Sequence, residues 1–282
     1  MKYKIENELL LIEIESFGAE LQRMYSKKDN HEYLWNGDPT IWKGRAPVLF
    51  PIVGALVQDM YLYKNQKYTM KKHGFARGTE FELVTQRETV LELFFSDSEK
   101  TFEIFPFHFC LNVRFTLEGT KLTVSHTVTN TGREEMWCSL GAHPAFRCDL
   151  GDKLVFEKED TIGAFRLKGG LLSKEKEPFM EQTDTWEIKA DSFAKDAVIL
   201  EDIPSKLVML ERQEGHNIRF DFNAPYLGIW AKPGASYVCL EPWFGVDDTH
   251  THNGNFVQKK GIKRLEAGES LTLTYVVEAI AM

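Results

Sequence analysis

The alternation of apolar and polar residues at every second position is the feature that most limits how this chain can fold. Every second residue is apolar over residues 111–117, a turn containing Gly119 follows, and the alternation resumes over residues 122–128. A period of two is the side-chain period of a β-strand, whereas a helix repeats every 3.6 residues. The pattern therefore predicts a β-hairpin with one face toward a core, on which His126 takes an apolar position as a hydrogen-bonded core histidine.

The remainder of the chain also favours strands over helices. Shorter alternating stretches recur around residues 12–15, 81–84, 90–95, 218–222 and 271–277. One or two helical turns are expected over residues 98–105, because Pro106 then stops the helix. We therefore predict an all-β fold with few short helices, a large antiparallel β-sandwich or barrel, formed as a single domain over residues 1–282. A Gly-rich phosphate loop is missing, which disfavours a doubly wound nucleotide-binding fold.

Charge, hydropathy and cysteine spacing indicate which binding partners and which cellular compartment to expect. The 282 residues carry 34 Lys and Arg against 42 Asp and Glu, a net charge of −8. Nucleic acids and anionic membrane surfaces select basic proteins, so neither is expected as the main partner. No apolar run approaches the ~20 residues of a membrane-spanning helix. The four cysteines form no Cys-x-x-Cys pair, which favours reduced thiols in a cytoplasmic protein.

Two segments that interrupt the alternation each contain a candidate ligand-binding residue. Arg45 lies between Trp42 and two prolines, where a guanidinium either caps carbonyl oxygens or offers its donors to a polar ligand. His73 precedes Gly74, and glycine allows the backbone to approach a ligand closely. On the sequence alone, a structural role and a binding role stay open for both residues.

Two further segments contain the candidates for acid–base chemistry. His143 lies among small residues and precedes Pro144, a pattern typical of a fixed turn, and imidazole titrates near neutral pH. Glu241 ends an apolar strand before a proline and two aromatic residues, where a carboxylate is costly unless it is paired or used. The alternatives are a turn histidine and a structural ion pair. Trp243 is either a core residue or a platform for the apolar face of a sugar.

The segment Asp247-Asp248-Thr249-His250-Thr251-His252 contains residue types that bind metals. A structural or catalytic metal site ordinarily needs three or four well-spaced ligands. No second set of ligands with suitable spacing lies nearby in the sequence. We therefore expect neither a metal nor an organic cofactor.

Taken in order, these segments resemble the aldose 1-epimerase (galactose mutarotase-like) family, most closely its LacX-type branch. The most specific element is Gly141-Ala142-His143-Pro144-Ala145-Phe146, and the next is Glu241-Pro242-Trp243. The segment from Trp42 to Pro51 is similar to the arginine segment of the family, and His73–Arg77 to its first histidine motif. The resemblance extends through almost the whole chain.

The resemblance implies a large β-sandwich with a sugar cleft on one curved sheet. It implies that His143 is the general acid and Glu241 the general base, and that Arg45 and His73 hold sugar hydroxyls. Asp196 is the best match to a sugar-binding aspartate of the family, and Trp243 would line the same site. The partner implied is a small-molecule monosaccharide, with the chain a monomer or a homodimer and no cofactor.

The activity implied is interconversion of the α and β anomers of an aldohexose through its open-chain aldehyde. The nearest alternative is a hexose-6-phosphate mutarotase, for which Lys71, Lys72, Arg77 or Arg147 would bind phosphate. A non-catalytic carbohydrate-binding protein is the alternative from another class. A glycoside hydrolase would ordinarily need a second catalytic carboxylate, for which Asp196 is the candidate.

Overall fold

The hairpin predicted around Gly119 lies at the centre of the largest sheet. In the computed structural model, which describes residues 1–280, strands Phe109–Glu118 and Lys121–Asn130 pair antiparallel with Leu111 opposite Val128. Their inward residues are fully buried and their outward residues are not. The alternation in the sequence therefore corresponds to a sheet that packs one face on the core, as predicted.

Strands dominate the described chain. In chain order they are β1 (Lys2–Glu6), β2 (Leu10–Glu15), β3 (Glu20–Ser26), β4 (His31–Glu32), β5 (Val48–Leu49), β6 (Met60–Tyr63), β7 (Gln66–Thr69), β8 (Glu82–Gln86), β9 (Val90–Ser96), β10 (Phe109–Glu118), β11 (Lys121–Asn130), β12 (Met136–Cys138), β13 (Leu140–Ala142), β14 (Ala145–Arg147), β15 (Lys153–Ala164), β16 (Leu167–Lys168), β17 (Leu171–Leu172), β18 (Glu177–Glu187), β19 (Val198–Glu201), β20 (Leu207–Glu211), β21 (Asn217–Phe222), β22 (Tyr226–Trp230), β23 (Tyr237–Phe244), β24 (Lys263–Leu265) and β25 (Ser270–Ile280).

The strands form antiparallel sheets, in agreement with the predicted all-β fold. The largest has nine strands in the order β18-β15-β20-β21-β25-β11-β10-β9-β8. A second has the order β19-β22-β23-β13-β5, with β14 also paired to β23, and a third contains β1 to β4. Phe146 of β14 packs edge to face on Phe220 of β21, with ring centroids 5.8 Å apart. The core therefore lies between the nine-stranded and the β23 sheets.

The β23 sheet is buried on both faces, unlike the nine-stranded sheet. Along β19, Val198 and Leu200 face the main core, while Ile199 between them packs in a second apolar cluster with Trp243. Alternate residues of a strand point to opposite faces. The second face of this sheet therefore has its own apolar floor, and the candidate site lies there.

Helical structure is confined to short elements. The helix α1 (Glu99–Ile104) begins at Ser98, whose side chain accepts a hydrogen bond from the Thr101 backbone N–H, and is followed by Phe105 and Pro106, as predicted. Three single turns of 3₁₀-helix are Val57–Asp59, Ala76–Gly78 and Phe256–Gln258. Among residues 1–280, no helix has the length and apolarity needed to cross a membrane.

The four cysteines are free thiols in the structure. Cys138, Cys148 and Cys239 are buried, and Cys110 is half-buried. Burial raises the pKa of the Cys138 thiol to about 12, because the thiolate would lose its hydration. These side chains therefore act as small apolar residues of the core.

His126 is in the core, as its register predicted, but its Nδ1 has no hydrogen-bond partner among the described residues. Burial lowers the pKa of His126 to about 3. An unfolded chain takes up a proton at this residue below about pH 6.5, whereas the folded chain does not until about pH 3. The free energy of unfolding contributed by this residue therefore falls as the pH is lowered through that window.

We expect His126→Leu to make the fold less sensitive to acid. Between pH 7.5 and pH 5.0 the wild type should lose about 2 kcal/mol at this residue, and the variant should not. Urea unfolding at the two pH values measures the difference. The control is His108→Leu, which removes an exposed histidine bonded to Asp97. An equal acid sensitivity in wild type and His126→Leu would contradict the assignment.

Candidate active site

Strand register brings His143 opposite Glu241. β13 pairs with β23 so that Gly141 faces Trp243, and β14 pairs with the same strand so that Ala145 faces Cys239. Continuing this antiparallel register across the break between β13 and β14 sets His143 against Glu241. Directly opposed residues on neighbouring strands have Cβ atoms about 4.5–5.5 Å apart. The break itself is held by the Pro144 carbonyl, which accepts a hydrogen bond from the Leu240 backbone N–H.

The two side chains touch at the floor of a cavity. Nε2 of His143 lies 3.1 Å from Oε2 of Glu241, and both residues are almost fully buried. The two atoms are close but not aligned as a hydrogen bond, so Oε2 has no donor among residues 1–280. The arrangement permits a proton to pass between a carboxyl group and an imidazole with little movement.

Burial controls the protonation of this pair. It lowers the pKa of His143 to about 3, and it raises the pKa of Glu241 well above its usual range. The ammonium of Lys72 opposes the pKa rise at Glu241, and the carboxylate of Asp247 reinforces it. Burial therefore favours the neutral forms of both groups, an imidazole with a single ring proton beside a carboxyl group that keeps its own proton.

His73 is held beside this pair by the backbone of Gly54. Nδ1 of the His73 ring accepts a hydrogen bond from the Gly54 backbone N–H at 3.1 Å. The backbone N–H of His73 donates to the Gly54 carbonyl at 2.9 Å. Accepting at Nδ1 leaves the ring hydrogen on Nε2, as a donor for the cavity. Burial lowers the pKa of His73 well below its usual value, so the ring is neutral. Gly74 follows with φ = +69°, and a Cβ there would lie 2.3 Å from the Phe50 carbonyl oxygen.

The cavity above the pair has a volume of about 260 Å³. Its size is at the low end of the roughly 300–1,000 Å³ of small-molecule sites, which suits a ligand of one ring. Both apolar and charged side chains line it, namely Trp42, Lys72, His73, Arg77, His143, Leu167, Asp196, Ala197, Trp230, Glu241, Trp243 and Asp247. The cavity therefore combines aromatic surfaces with acid–base and ionic groups.

Aromatic rings form its walls. Trp42 and Trp230 lie against the His143 ring at centroid distances of 5.0 and 5.8 Å. Trp243 packs across Gly228, where a Cβ would come within 2.7 Å of the indole. Trp243 therefore packs in the second apolar cluster and also lines the cavity. The two alternatives left open by the sequence, a core residue and a wall of the site, are compatible at this position.

Asp196 lies at the mouth of the cavity. It is exposed, it has φ = +67°, and its Oδ1 accepts a hydrogen bond from the Ala197 N–H at 2.8 Å. The turn that contains it precedes β19, as the sequence suggested. Its second carboxylate oxygen is available to a ligand that enters from solvent.

The structure does not bring Arg45 to the cavity, which corrects the expectation from the sequence. Its guanidinium donates to the carbonyl of Gln22 on β3 at 2.5 Å. The backbone N–H groups of Arg45 and Ala46 both donate to the Glu20 carboxylate. This anchor directs the Arg45 side chain toward β3, where it caps a carbonyl oxygen. The arginine on the cavity is Arg77, at the end of the first histidine motif.

Four of the buried polar atoms without a hydrogen-bond partner belong to residues that line the cavity. They are Nδ1 of His143, Oε2 of Glu241, Nε1 of Trp243 and Oδ2 of Asp247. A buried polar atom left unpaired costs about 1–3 kcal/mol. The cavity therefore offers several unpaired donor and acceptor atoms to a polar group that enters it.

The acidic segment after β23 is an ion-pair network and not a metal cluster. Nζ of Lys259, which is fully buried, lies 3.0 Å from Oδ1 of Asp248 and donates to the Val246 carbonyl at 2.6 Å. Nδ1 of His252 lies 3.3 Å from Oδ2 of the same aspartate. Both oxygens of Asp248 are therefore engaged by the protein.

One other set of donor atoms reaches metal-binding spacing at the site. Ligand atoms of His143, Cys239 and Glu241 lie within 4.8 Å of one another. A thiol must lose its proton to bind a metal, and burial raises the pKa of Cys239 well above its usual value. The group is therefore better suited to proton transfer between His143 and Glu241 than to metal binding.

Sequence reasoning did not propose Trp230 or Asp247 as site residues. Trp230 ends β22 and Asp247 follows β23 by three residues. The available signal was position, since Trp230 is the last residue of β22 and Asp247 follows the strand that carries Glu241. Asp247 was considered in the sequence only as part of a possible metal-binding segment, and Trp230 belongs to none of the segments singled out.

Almost the whole chain matches known proteins of one family. A family model described as "Aldose 1-epimerase" matches residues 1–277. Two LacX proteins of Lactococcus lactis subsp. lactis, plasmid and chromosomal, are each 32% identical over 279 residues, covering 92% of this chain and 93% of the relative.

Solved structures give the same result. A galactose mutarotase related enzyme from Lactobacillus acidophilus has a TM-score of 0.94 and 29% identity, and covers 100% of this chain and 98% of its own. A galactose mutarotase-like protein from Lactobacillus casei ATCC 334 has a TM-score of 0.94 and 30% identity, with coverage of 99% and 100%. The structural similarity therefore extends over the whole sandwich.

Proposed function

Because this chain belongs to the aldose 1-epimerase family, and is by that membership an isomerase, we propose that it interconverts the α and β anomers of an aldohexose by acid–base ring opening. The observation that carries the proposal is the 3.1 Å contact between His143 Nε2 and Glu241 Oε2 on a cavity of one-ring size. The hemiacetal hydroxyl and the ring oxygen of a sugar are attached to the same carbon atom. An acid and a base in contact can therefore act on both oxygens at once.

The proton count of the pair suits the reaction. Burial favours a proton on Glu241 and a neutral His143, and transfer of the Glu241 proton to His143 gives carboxylate and imidazolium. A bound sugar favours this ionised form, because its C1 hydroxyl donates to the carboxylate and its ring oxygen accepts from the imidazolium. Substrate binding therefore charges the pair without exchange of protons with solvent.

Ring opening then returns the pair to its resting form. Glu241 takes the proton of the C1 hydroxyl, and the O–H electrons form the carbonyl double bond. The C1–O5 bond breaks with its electron pair on O5, and His143 protonates that oxygen. After rotation about C1–C2, the same steps run in reverse on the other face of the aldehyde. One general acid and one general base each contribute on the order of 10²–10⁴ to the rate.

Other cavity residues would hold the sugar. Nε2 of His73 donates to a hydroxyl, and Asp196 accepts from one at the mouth. The rings of Trp42, Trp230 and Trp243 offer apolar surface to the C–H faces of the pyranose. The cationic head group in contact with substrate is assigned to Arg77 in place of Arg45, since Arg77 lines the cavity.

We expect Arg45→Ala and Arg77→Ala to differ in their effect on substrate binding. Arg45→Ala should leave KM within about twofold of the wild-type value, since it removes a contact outside the cavity. Arg77→Ala should raise KM, with the larger change. Anomer-exchange kinetics by proton NMR measure both variants, with circular dichroism as the control for folding. An increase in KM for Arg45→Ala equal to that for Arg77→Ala would restore Arg45 as a ligand.

A hexose-6-phosphate mutarotase is the second candidate, because two cationic side chains line the cavity. Lys72 lies 3.6 Å from Asp247, and Arg77 donates one N–H to the Lys72 carbonyl at 2.8 Å, so each keeps further N–H donors for a phosphate group. Of the other basic residues considered from the sequence, Lys71 is 2.6 Å from Asp59, and Arg147 lines a different cavity beside His31. The candidate therefore depends on Lys72 and Arg77 alone.

A proton NMR exchange survey tests the proposal and its alternative together. D-glucose, D-galactose and their 6-phosphates are each mixed with the protein, and exchange between the two anomeric protons is measured against the uncatalysed rate. Acceleration of the free hexoses supports the first candidate, and acceleration confined to the phosphates supports the second. Absence of acceleration in the whole series would overturn the assignment to aldohexoses.

A further inference from the structure

Asp247 is a buried carboxylate in the cavity with only one of its oxygens in use. The residue is 1% exposed. Its Oδ1 accepts a hydrogen bond from the Ala55 N–H at 2.7 Å and lies 3.6 Å from Nζ of Lys72. Its Oδ2 is buried and has no hydrogen-bond partner among the described residues. Asp247 is therefore fixed in place at one oxygen and unsatisfied at the other.

The surrounding backbone is built around this position. Gly54, with φ = +75°, approaches so closely that a Cβ there would lie 2.3 Å from the Asp247 nitrogen. Gly54 is also the residue that binds His73, and the next residue, Ala55, accepts from the Asp248 N–H at 2.9 Å. The loop that orients His73 and the loop that carries Asp247 are thus one hydrogen-bonded unit.

A structural role would need only Oδ1. That oxygen accounts for the contacts of Asp247 with Ala55 and Lys72. An unpaired carboxylate oxygen in a buried position is more costly than an unpaired neutral group, because hydrogen bonds to charged groups are the stronger ones. A neutral amide would keep the Ala55 contact and leave only an uncharged group unpaired, at a lower cost. The second oxygen therefore calls for a donor from the occupant of the cavity.

We propose that Asp247 is a substrate-binding residue, whose Oδ2 accepts a hydrogen bond from one hydroxyl group of the sugar and selects for that hydroxyl. Lys72 keeps the carboxylate oriented through Oδ1. This inference rests on the proposed function, in that the occupant of the cavity is a sugar. It adds a determinant of specificity, since a site that bonds a hydroxyl rejects the analogue without it far more strongly than an apolar pocket does.

The test combines Asp247→Asn with sugars that lack single hydroxyl groups. An asparagine keeps a carbonyl oxygen for the Ala55 N–H, but its NH₂ group replaces the free acceptor. We expect the variant to raise KM for D-glucose by about 10- to 150-fold. One of the 2-, 3-, 4- and 6-deoxyglucoses should show a similar increase with the wild type. For that analogue the variant should cause little further increase, because both changes remove the same bond.

A ligand that cannot react separates this inference from the proposed function. 1,5-Anhydroglucitol has the glucose ring without the anomeric hydroxyl, so it binds without opening. Calorimetric titration should give a weaker Kd for Asp247→Asn than for wild type, even if neither accelerates anomer exchange. If the wild type binds 1,5-anhydroglucitol more tightly than the variant but does not accelerate anomer exchange, only the proposed function is contradicted.

The control is Asp221→Asn, which changes a carboxylate paired with Arg219 on β21 of the nine-stranded sheet. It should leave KM and Kd unchanged. Wild-type KM and Kd in a folded Asp247→Asn protein would overturn the inference and leave Asp247 as a loop anchor. If the variant does not fold, the wild-type deoxy series decides, since equal KM values for all four analogues would exclude a selected hydroxyl.

Discussion

We expect Glu241→Gln to reduce the kcat of anomer exchange by about 10²- to 10⁴-fold, equivalent to about 3–5 kcal/mol in the activation barrier. The proposed role of Glu241 is to give its proton to His143 when the sugar binds and to take up the proton of the C1 hydroxyl. A glutamine side chain has nearly the same shape, but it can perform neither transfer. The loss should therefore be in turnover and not in binding.

The physical state of the free enzyme makes this substitution mild for the fold. Burial raises the pKa of Glu241 well above its usual range, which favours the neutral, protonated form of the wild-type side chain. Glutamine replaces one neutral group with another of similar size. We expect circular dichroism and the thermal midpoint to change little, and the Kd for 1,5-anhydroglucitol to stay close to the wild-type value.

The matched control is Glu278→Gln, on β25 of the nine-stranded sheet, whose carboxylate lies 3.8 Å from Lys121. Its anomer-exchange rate should equal that of the wild type. A Glu241→Gln enzyme with more than a tenth of wild-type turnover would rule out Glu241 as the general base. Lost turnover with retained binding would also separate an enzyme from a carbohydrate-binding protein.

The fold class could be predicted from short-range patterns, because the burial of one strand face requires apolar residues at every second position. The hairpin of β10 and β11 was readable since each inward position had to be apolar. α1 was readable from Ser98 and Pro106. The double burial of the β23 sheet was less visible, because strands that are apolar on both faces lose the alternation that identifies them.

Residues of the candidate site could be predicted from the sequence only where they lie within a recognisable motif. His143, Glu241 and His73 stand in the segments that the family resemblance singled out. Arg45 does not line the cavity, because its orientation depends on the carboxylate of Glu20, a contact made only in the folded chain. Asp247 was missed for the same reason, since its environment is created by the loop of Gly54 and Ala55.

The protonation states of His143 and Glu241 also could not be predicted from the sequence. The attraction between imidazolium and carboxylate raises the histidine pKa and lowers that of the glutamate, while desolvation does the opposite. Which effect dominates depends on how deeply the pair is buried. In the folded chain His143 is 8% exposed and Glu241 is 1% exposed, so desolvation is the larger effect and favours the neutral form of both groups.

Replacement of His143 should be as damaging as replacement of Glu241, and it should respond to added imidazole. We expect His143→Ala to lower kcat by about 10²- to 10⁴-fold, since no other group is proposed to protonate the ring oxygen. The substitution leaves a space the size of the lost ring beside Trp42 and Trp230. Free imidazole that enters this space should restore part of the rate in proportion to its concentration, as measured by NMR exchange at constant pH.

Two variants and a pH series complete this test. Imidazole should not rescue Glu241→Gln, where the proton acceptor is missing, and His108→Ala, which removes an exposed histidine, should keep wild-type activity without imidazole. Burial lowers the pKa of His143 to about 3 and raises that of Glu241, so lowering the pH from 7 to 5 leaves His143 neutral and favours the proton on Glu241. The wild-type kcat/KM should therefore be flat over this range. A steep loss between pH 7 and pH 5 would mean that His143 titrates like a solvent-exposed imidazole, which the buried contact with Glu241 does not allow.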